Sequence, residues 1–226
     1  NLAVEYMGTM YLSAALKKHL HQTEVFIGDG KKMIQEIVRY KPDLLAFSCT
    51  TEMETWCIKI ASKVKEQIPV KVILGGPHPT FFPEVIKEEP EDIICRGEGD
   101  QTIVDIANML DKGGYLTNIA NCWFSVDGKI VKNDLRPLIG DLNSLPFPDR
   151  DIYRKKYPSL RTSTLSVFTG RGCPFDCTYC FNKTLKELYC NKGAYVRKRS
   201  IDSVISEIKK AGSNEKIRTV YFCDDT

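Results

Sequence analysis

The sequence has few histidines, a small net charge and no long apolar runs. The last two of these features each count against a class of protein. The chain has 3 histidines in 226 residues, and a formal net charge of +3 from 32 basic and 29 acidic residues. So small a positive excess gives no drive toward nucleic acid. No apolar run approaches the roughly 18 residues that span a bilayer, and the N-terminus lacks a signal-peptide pattern. We therefore expect a cytoplasmic protein without a membrane span.

Nucleotide-binding motifs are also missing. The chain contains neither a GxGxxG fingerprint nor a Walker loop, which counts against a nucleotide as its ligand. Its composition, 42% apolar and 27% charged, is otherwise that of an ordinary globular protein. The length allows one large domain or two ordinary ones.

Strands and helices alternate along the first 140 residues. The apolar patterns predict strands at 24–27, 43–49, 70–74 and 92–95, and helices at 7–20, 33–38, 52–67, 82–89 and 101–110. A hairpin is predicted around Asp127-Gly128. This alternation predicts an α/β fold over residues 1–140, with a doubly wound, Rossmann-like (flavodoxin-type) parallel sheet.

A second domain is predicted after a proline-containing linker at 141–160. Residues 161–226 hold a strand at 164–169, a helix at 201–211 that begins at Ser200 or Asp202, and a strand at 219–223. One strand–helix–strand unit cannot close a core by itself, and no strand is predicted before the first helix, although doubly wound sheets start on a central strand. We therefore expect the chain to be a fragment of a longer protein.

Cysteine is the residue that the sequence does have in excess. Its 9 cysteines are an odd number, and a reducing cytosol argues against a disulfide framework. Four of them lie scattered in apolar segments, where a free cysteine is most often a small buried hydrophobe: Cys49, Cys57, Cys95 and Cys122. Three others fall within eight residues in the stretch RGCPFDCTYC, at Cys173, Cys177 and Cys180.

Three thiolates on one loop can surround a single metal centre. Zinc normally takes four ligands, but no second cysteine knuckle exists and the histidines lie in the other domain. Iron–sulfur clusters prefer thiolates, and three cysteines hold three irons of a [4Fe–4S] cluster. The fourth iron is then open, which is a feature of a catalytic site. A structural zinc loop or three incidental thiols remains the alternative.

This cysteine pattern, directly after the first predicted strand of its domain, resembles the signature of the radical SAM enzymes. The resemblance implies the start of a partial (β/α) TIM-like barrel, with S-adenosylmethionine chelated by the open iron and cleaved to a 5′-deoxyadenosyl radical. It implies SAM contacts for aromatic Tyr179 and Phe181 near the cysteines, and for acidic Asp224 and Asp225 after the second strand. The family's usual Gly-Gly-Glu is absent, so these acidic contacts rest on position alone.

Polar and glycine residues follow three predicted strands of the first domain, where an open parallel sheet forms its ligand crevice. They are Ser48, Thr50, Gly75, Gly76, His78, Gly97, Glu98 and Gly99. With GGPHPTFFPE, RGEGDQT and the linker LPFPDRDIY, this region resembles the cobalamin-binding domain of one large class of radical SAM enzymes. The Asp-x-His-x-x-Gly motif that supplies a cobalt ligand elsewhere is missing. His78 is therefore expected either to shape its turn, to bond the corrin periphery, or to ligate cobalt.

The resemblance implies an enzyme with a [4Fe–4S] cluster, SAM and cobalamin that methylates an unactivated carbon of a small-molecule substrate. Ring closure or rearrangement without methylation is a related outcome. It also implies an electron donor such as flavodoxin or ferredoxin. Two other hypotheses about the function stay open. One is a radical SAM methylthiotransferase acting on tRNA or protein, whose second cluster would use Cys49, Cys57 and Cys95. The other is a non-catalytic cobalamin- or metal-binding sensor module.

Overall fold

Two compact units make up the chain. The computed structural model describes residues 6–28, 30–87, 92–114, 117–160, 163–214 and 217–225. The sheet unit comprises Ala15–Leu135, and the cysteine unit combines the residues up to Ala14 with those from Arg136 onward. The division at 135/136 lies close to the predicted boundary at 140, but the predicted linker 141–160 groups with the cysteine unit.

The sheet unit is built on one five-stranded sheet with its strands in sequential order. The first three strands are parallel and the last two are antiparallel: β1 (Leu44–Ser48), β2 (Lys71–Gly75), β3 (Ile93–Cys95), β4 (Cys122–Val126) and β5 (Lys129–Lys132). The predicted hairpin is confirmed, because Asp127 and Gly128 both have positive φ, as a type I′ turn requires. The α/β class is confirmed, with a sheet that is mixed at one side.

Helices precede, connect and follow the parallel strands. They are α1 (Met7–Lys18), α2 (Lys31–Tyr40), α3 (Glu54–Lys65), α4 (Pro77–Phe81) and α5 (Asp100–Asp111). Ile34 and Ile37 of α2 and Ile60 and Val64 of α3 pack on Val72 of β2 in one buried cluster. Their spacing of three or four residues is the stripe from which these helices were predicted.

Two predicted elements of the sheet unit differ in the structure. Residues 24–27 form no strand, although Phe26 still packs against the core and edge-on to Tyr40, with ring centroids 5.7 Å apart. The Phe26 side chain is therefore partly buried although its segment does not form a strand. The helix predicted at 82–89 begins earlier, at Pro77, because proline suits the first turn of a helix, and a 3₁₀ segment follows at Pro83–Lys87. The last two residues of that predicted helix, 88 and 89, lie outside the described residues.

The cysteine unit contains one parallel strand–helix–strand unit. β6 (Thr164–Val167) pairs with β9 (Thr219–Phe222), and α8 (Ile201–Asn214) connects them and packs Val204 on Leu165 and Val167. Ser200 caps α8, as predicted, since its Oγ accepts a hydrogen bond from the Ser203 amide. The remaining elements are α6 (Asp151–Arg154), β7 (Gly170–Arg171), α7 (Phe181–Leu188) and β8 (Arg197–Lys198). Within the residues described, β6 and β9 form a two-stranded sheet and no closed barrel.

A buried carboxylate joins the predicted linker to the rest of the cysteine unit. Glu207 of α8 accepts hydrogen bonds from Arg150 at 2.7 Å and from Arg199, and all three side chains are almost fully enclosed. Arg150 also donates to the Ser166 carbonyl of β6 at 2.7 Å. These bonds explain why residues 141–160 group with the second unit. Burial, and next the Glu207 charge, raise the pKa of nearby Tyr11 to about 12.

No helix in the described part of the chain is both long enough and apolar enough to cross a membrane.

Gly76 occupies a position where a side chain does not fit. Its φ is +99°, and a Cβ there would lie 2.8 Å from the Cys49 nitrogen and 2.9 Å from the Cys49 oxygen. Both contacts are with backbone, so neither can relax by rotating a side chain. The loop after β2 therefore depends on glycine for its close approach to the loop after β1.

We predict that Gly76→Ala destabilises the sheet unit by about 2–5 kcal/mol, the sum of positive-φ strain and overlap. Both tryptophans of the chain, Trp56 and Trp123, lie in this unit, so their fluorescence in urea reports its unfolding. Gly128→Ala is the matched control, because Gly128 also has positive φ but open space around its Cα. It should cost only about 1–2 kcal/mol. Equal losses in the two variants would contradict the overlap.

Glu207→Ala should loosen the cysteine unit by about 3–5 kcal/mol, because it leaves two buried guanidinium groups without their shared carboxylate. Amide hydrogen exchange in α8 and β6 should accelerate by about 10²–10⁴-fold. Asp151→Ala is the control, since it breaks the exposed Asp151–Lys155 pair of the same unit. That pair contributes less than about 1 kcal/mol. Unchanged exchange in Glu207→Ala would show that the buried ion pairs do not hold this unit together.

Candidate functional site

The carboxyl ends of β1 and β2 are locked together in the sheet unit. Ser48 and Gly75, the last residues of the two strands, face each other in register. Beyond them the Cys49 amide donates to the Gly75 carbonyl at 2.7 Å, and the His78 amide donates to the Cys49 carbonyl at 3.0 Å. The two loops are thus bonded to each other through their backbones, which leaves the Ser48 and Thr50 side chains exposed.

Thr80 connects the loop after β2 to the loop after β3. Its buried hydroxyl donates to the Gly76 carbonyl at 2.7 Å and accepts from the Gly97 amide at 2.9 Å. On the other side of the second loop, the Asn121 side-chain amide donates to the Glu98 carbonyl at 2.8 Å. Side chains that were not predicted as site residues therefore fix the backbone of the predicted glycine loops.

His78 is enclosed by protein groups on both ring nitrogens. Nδ1 lies 3.2 Å from the Thr51 hydroxyl and Nε2 lies 3.5 Å from Glu54 Oε1. The ring is buried and stacks on Phe82 with centroids 5.4 Å apart. A histidine that ligates a metal needs one nitrogen lone pair directed at it. Of the three roles expected for His78, this arrangement favours shaping the turn.

The predicted crevice residues of the sheet unit therefore come together at one edge of its sheet. The ends of three neighbouring parallel strands and the segments that directly follow them carry all of them: Ser48, Thr50, Gly75, Gly76, His78, Gly97, Glu98 and Gly99. This is the edge at which open α/β sheets bind ligands. The glycines place bare backbone there, and Ser48 and Thr50 add exposed hydroxyl groups.

In the cysteine unit, the cysteine loop (Gly172–Cys180) begins where β7 ends. β7 pairs with β8, through Gly170 with Lys198 and Arg171 with Arg197. Gly172 has a φ of +86°, and a Cβ there would overlap the Tyr195 carbonyl oxygen. The first residue of the loop must therefore be glycine, because the strand leading to β8 passes directly against it.

The three thiols of the loop differ in exposure. Cys173 is buried, Cys180 is half-buried and Cys177 is exposed. A turn joins two of them, since the Cys180 amide donates to the Cys177 carbonyl at 3.1 Å. Cys180 is also the N-cap of α7, where the positive end of the helix suits a negatively charged group. Lys186 connects α7 to the loop by two hydrogen bonds. Its Nζ lies 2.6 Å from Asp176 Oδ1 and 3.3 Å from the Pro174 carbonyl oxygen.

Two polar residues outside the motif contact the cysteine loop. Asn182, which is buried in the first turn of α7, has its Nδ2 3.7 Å from Cys180 Sγ, within reach for a large sulfur acceptor. Tyr195 Oη donates to Asn182 Oδ1 at 2.7 Å. Burial raises the pKa of Tyr195 to about 12, with smaller increases from the charges of Asp225, Cys173 and Cys180.

The two predicted acidic residues after β9 have different surroundings. Asp224 accepts hydrogen bonds from the Thr169 amide and hydroxyl, both at 2.7 Å, and from the Gly170 amide at 2.9 Å. Its carboxylate thus ties the end of β9 to the chain that leads into the cysteine loop. Asp225 is exposed, and its charge contributes to the raised pKa of Tyr195. Asp224 has a structural task, and Asp225 has the freer carboxylate.

The aromatic residues next to the last cysteine are open to solvent. Tyr179 is 91% exposed and Phe181 is 51% exposed, so either ring is accessible to a ligand at the loop. Cys190 is also exposed, and Cys223, which is half-buried, contacts the Tyr221 carbonyl at 3.7 Å.

The thiols, imidazoles and carboxylates of the chain are the groups that could hold a metal ion or a cluster. Across the described ranges, no three His, Cys, Asp or Glu side chains converge on the position of one metal ion. A tetrahedral zinc site needs every sulfur about 2.3 Å from one point. A [4Fe–4S] cluster instead binds each thiolate to a different iron, so its ligands are spread apart. Three thiols supplied by one loop are a donor set whose chemistry suits such a cluster.

Sequence reasoning missed Thr80, Asn121, Asn182 and Tyr195. The residue type of Asn121 was one indication in the sequence. Asparagine adopts a left-handed backbone more readily than most residues, and Asn121 has such a backbone, with a φ of +72°. Tyr195 carried none, since its contact with Gly172 and Asn182 arises only from the pairing of β7 with β8.

Comparison with protein families gives one match in the first part of the chain. The family model described as "B12 binding domain" matches residues 3–107. This range contains all the crevice residues of the sheet unit.

Two curated relatives extend the similarity into the cysteine unit. An uncharacterized methyltransferase, PH0819, of Pyrococcus horikoshii is 29% identical over 97% of this chain and 48% of its own length. The anaerobic magnesium-protoporphyrin IX monomethyl ester cyclase of Rubrivivax gelatinosus is 33% identical over 75% of this chain and 33% of its own length. The chain therefore spans half or less of the length of these relatives.

Solved structures share the fold over nearly the whole chain. The cobalamin-dependent S-adenosylmethionine radical enzyme OxsB, with aqua-cobalamin and S-adenosylmethionine bound, matches 99% of this chain and 32% of its own with a TM-score of 0.78 and 21% identity. The radical S-adenosylmethionine methyltransferase TsrM from Kitasatospora setae, with tryptophan substrate and a SAM analogue bound, matches 99% of this chain and 45% of its own. Its TM-score is 0.73 at 14% identity.

The resemblance stated from the sequence is thus confirmed: residues 3–107 match the B12 binding domain family, and the chain as a whole is similar to cobalamin-dependent and other radical S-adenosylmethionine enzymes, to a methyltransferase and to a cyclase.

Proposed function

We propose that this chain is the cofactor-binding part of a cobalamin-dependent radical SAM enzyme that methylates an unactivated carbon of a small molecule. The observation that supports this most strongly is the cysteine loop, whose three thiols follow β6 and β7 on a chain that also carries a B12-binding domain. When bound, the cluster and cobalamin supply reductive cleavage of SAM and delivery of a methyl group.

The residues of the cysteine unit have distinct tasks in this proposal. Cys173, Cys177 and Cys180 hold the [4Fe–4S] cluster through three irons and leave the fourth for SAM. Tyr179 and Phe181 are exposed beside the last cysteine, where an adenine ring can stack on them. Asp225 offers an exposed carboxylate to the ammonium group of SAM. Asp224, whose oxygens already bond Thr169 and Gly170, orients the loop from behind.

The sheet unit binds cobalamin at the edge formed by the crevice loops. Gly75, Gly76, Gly97 and Gly99 let backbone approach the cofactor, and Ser48 and Thr50 present exposed hydroxyls to its polar tail. Glu98 is held in place through its carbonyl by Asn121. His78 supports the loops through Thr51 and Glu54, which is the turn-shaping role expected for it.

Ring closure without methylation is a second candidate outcome. It is favoured by the 33% identity with a relative named as a cyclase. The same cofactor-binding residues would serve both reactions, so the product of the enzyme decides between them.

The structure does not support the hypothesis of a methylthiotransferase with a second cluster. Cys49 and Cys57 are fully buried in the hydrophobic core beside Leu74 and Ile94, and Cys95 ends a buried strand. Thiols enclosed in this way are small hydrophobes, as the sequence predicted, and they offer no open loop to a second cluster.

The proposal predicts that the three motif cysteines, and not other exposed thiols, are required for SAM cleavage. After anaerobic reconstitution with iron and sulfide, the protein should form 5′-deoxyadenosine from SAM under reduction. The triple variant Cys173→Ala, Cys177→Ala, Cys180→Ala should form none, because the cluster has lost its ligands. It should still bind cobalamin, since the sheet unit is unaltered.

Cys190→Ala is the matched control, because Cys190 is an exposed thiol of the same unit outside the motif. It should cleave SAM like the parent. A parent protein that takes up no iron, or a triple variant that cleaves SAM unchanged, would contradict the radical SAM function and leave a zinc or sensor module.

A further inference from the structure

A buried amide lies directly behind the last cysteine of the loop. Asn182 is 5% exposed although it lies in the first turn of α7, where a polar side chain can usually reach water. Its amide nitrogen is 3.7 Å from Cys180 Sγ and its oxygen is 2.7 Å from Tyr195 Oη. Both ends of the amide are therefore engaged, one by the sulfur and one by the phenol.

The chemistry of the two partners fixes the direction of both bonds. A cluster-bound thiolate has no proton and can only accept, so the Asn182 NH₂ group must face it. The Asn182 oxygen then faces Tyr195, whose hydroxyl donates. Without that phenol, the amide would leave a buried oxygen unsatisfied and would gain freedom to rotate away from the sulfur.

Tyr195 itself is held by backbone contacts on the same side of the loop. Its carbonyl lies against Gly172 so closely that no side chain fits there. The Arg197 guanidinium donates to the same carbonyl at 3.3 Å and to the Ile139 carbonyl at 3.0 Å. The pairing of β7 with β8 follows two residues later and sets the register of this strand. The phenol is therefore fixed relative to the cysteine loop.

From this chain of contacts we propose that Asn182, oriented by Tyr195, is a positioning residue that donates a hydrogen bond to the Cys180 thiolate and raises the reduction potential of the bound cluster. This inference rests on the proposed [4Fe–4S] function of the loop. Reduction adds an electron to the cluster and increases the negative charge on its sulfur ligands. A donor aimed at one of those sulfurs stabilises the reduced form more than the oxidised form, and hydrogen bonds to sulfur are one of the determinants of cluster potential.

The test is an equilibrium redox titration of the reconstituted cluster in the absence of SAM, followed by absorbance and electron paramagnetic resonance. Asn182→Leu keeps the approximate size of the side chain and removes the donor, so the midpoint potential should become more negative. Tyr195→Phe removes only the hydroxyl that orients the amide, so it should shift the potential in the same direction by less. A purely structural role would change stability without moving the potential.

Tyr40→Phe is the control, because it removes a phenol hydroxyl from the sheet unit and should leave the potential unchanged. Equal midpoint potentials in the parent, Asn182→Leu and Tyr195→Phe, with the cluster present in each, would overturn the inference while the proposed function stands. If Asn182→Leu assembles no cluster, Tyr195→Phe decides by itself, since it retains the amide. A parent that assembles no cluster would overturn both the inference and the proposed function.

Discussion

In both units, parallel strand pairing brings the loops that follow the strands to one edge of a sheet. The registers of β1 with β2 and of β2 with β3 place three crevice loops side by side, and backbone bonds from Cys49 to Gly75 and from His78 to Cys49 extend the contact beyond the strands. The pairing of β6 with β9 has the same effect in the cysteine unit, where Asp224 joins the two strand ends. Loops of this kind can contribute to a site because the ladder holds their starting points fixed.

Close backbone packing gives these loops their shape, and glycine makes it feasible. Gly76 lies against the backbone of Cys49, and Gly172 lies against the Tyr195 carbonyl. Buried polar side chains then satisfy the backbone groups that leave the strand ladders. Thr80 does so in the sheet unit, and Asp224 does so before the cysteine loop. Each loop is therefore held to its neighbours by backbone contacts and buried hydrogen bonds, which is the kind of preorganisation that the proposed cofactor binding needs.

Local patterns in the sequence were enough to predict the features that depend on local chemistry. The buried strands at β1 and β2, the Asp127-Gly128 turn and the burial of Cys49 and Cys57 follow from apolar runs, turn residues and the properties of a free thiol. The crevice loops followed from one topological rule about strand ends. The three-cysteine loop and its position after a strand were visible as a motif.

Features that depend on contacts between distant residues could not be predicted in this way. The addition of β4 and β5 as antiparallel strands depends on the pairing of Cys95 with Cys122, which no local pattern encodes. Residues 24–27 have strand composition but form no strand. The roles of Tyr195 and Asp224 likewise depend on strand pairing between segments that are far apart in the chain. Their partners at the cysteine loop could therefore not be predicted from the sequence.

In the function proposed here, one chain holds a [4Fe–4S] cluster in its cysteine unit and cobalamin in its sheet unit. The most direct measurement is the content of iron, sulfide, zinc and cobalamin in the anaerobically reconstituted protein, with a Mössbauer spectrum before and after SAM is added. We expect about four irons, about four sulfides and about one cobalamin per chain, with one iron site altered by SAM. Stoichiometric zinc without iron, or a cluster whose four irons are all unaffected by SAM, would contradict it.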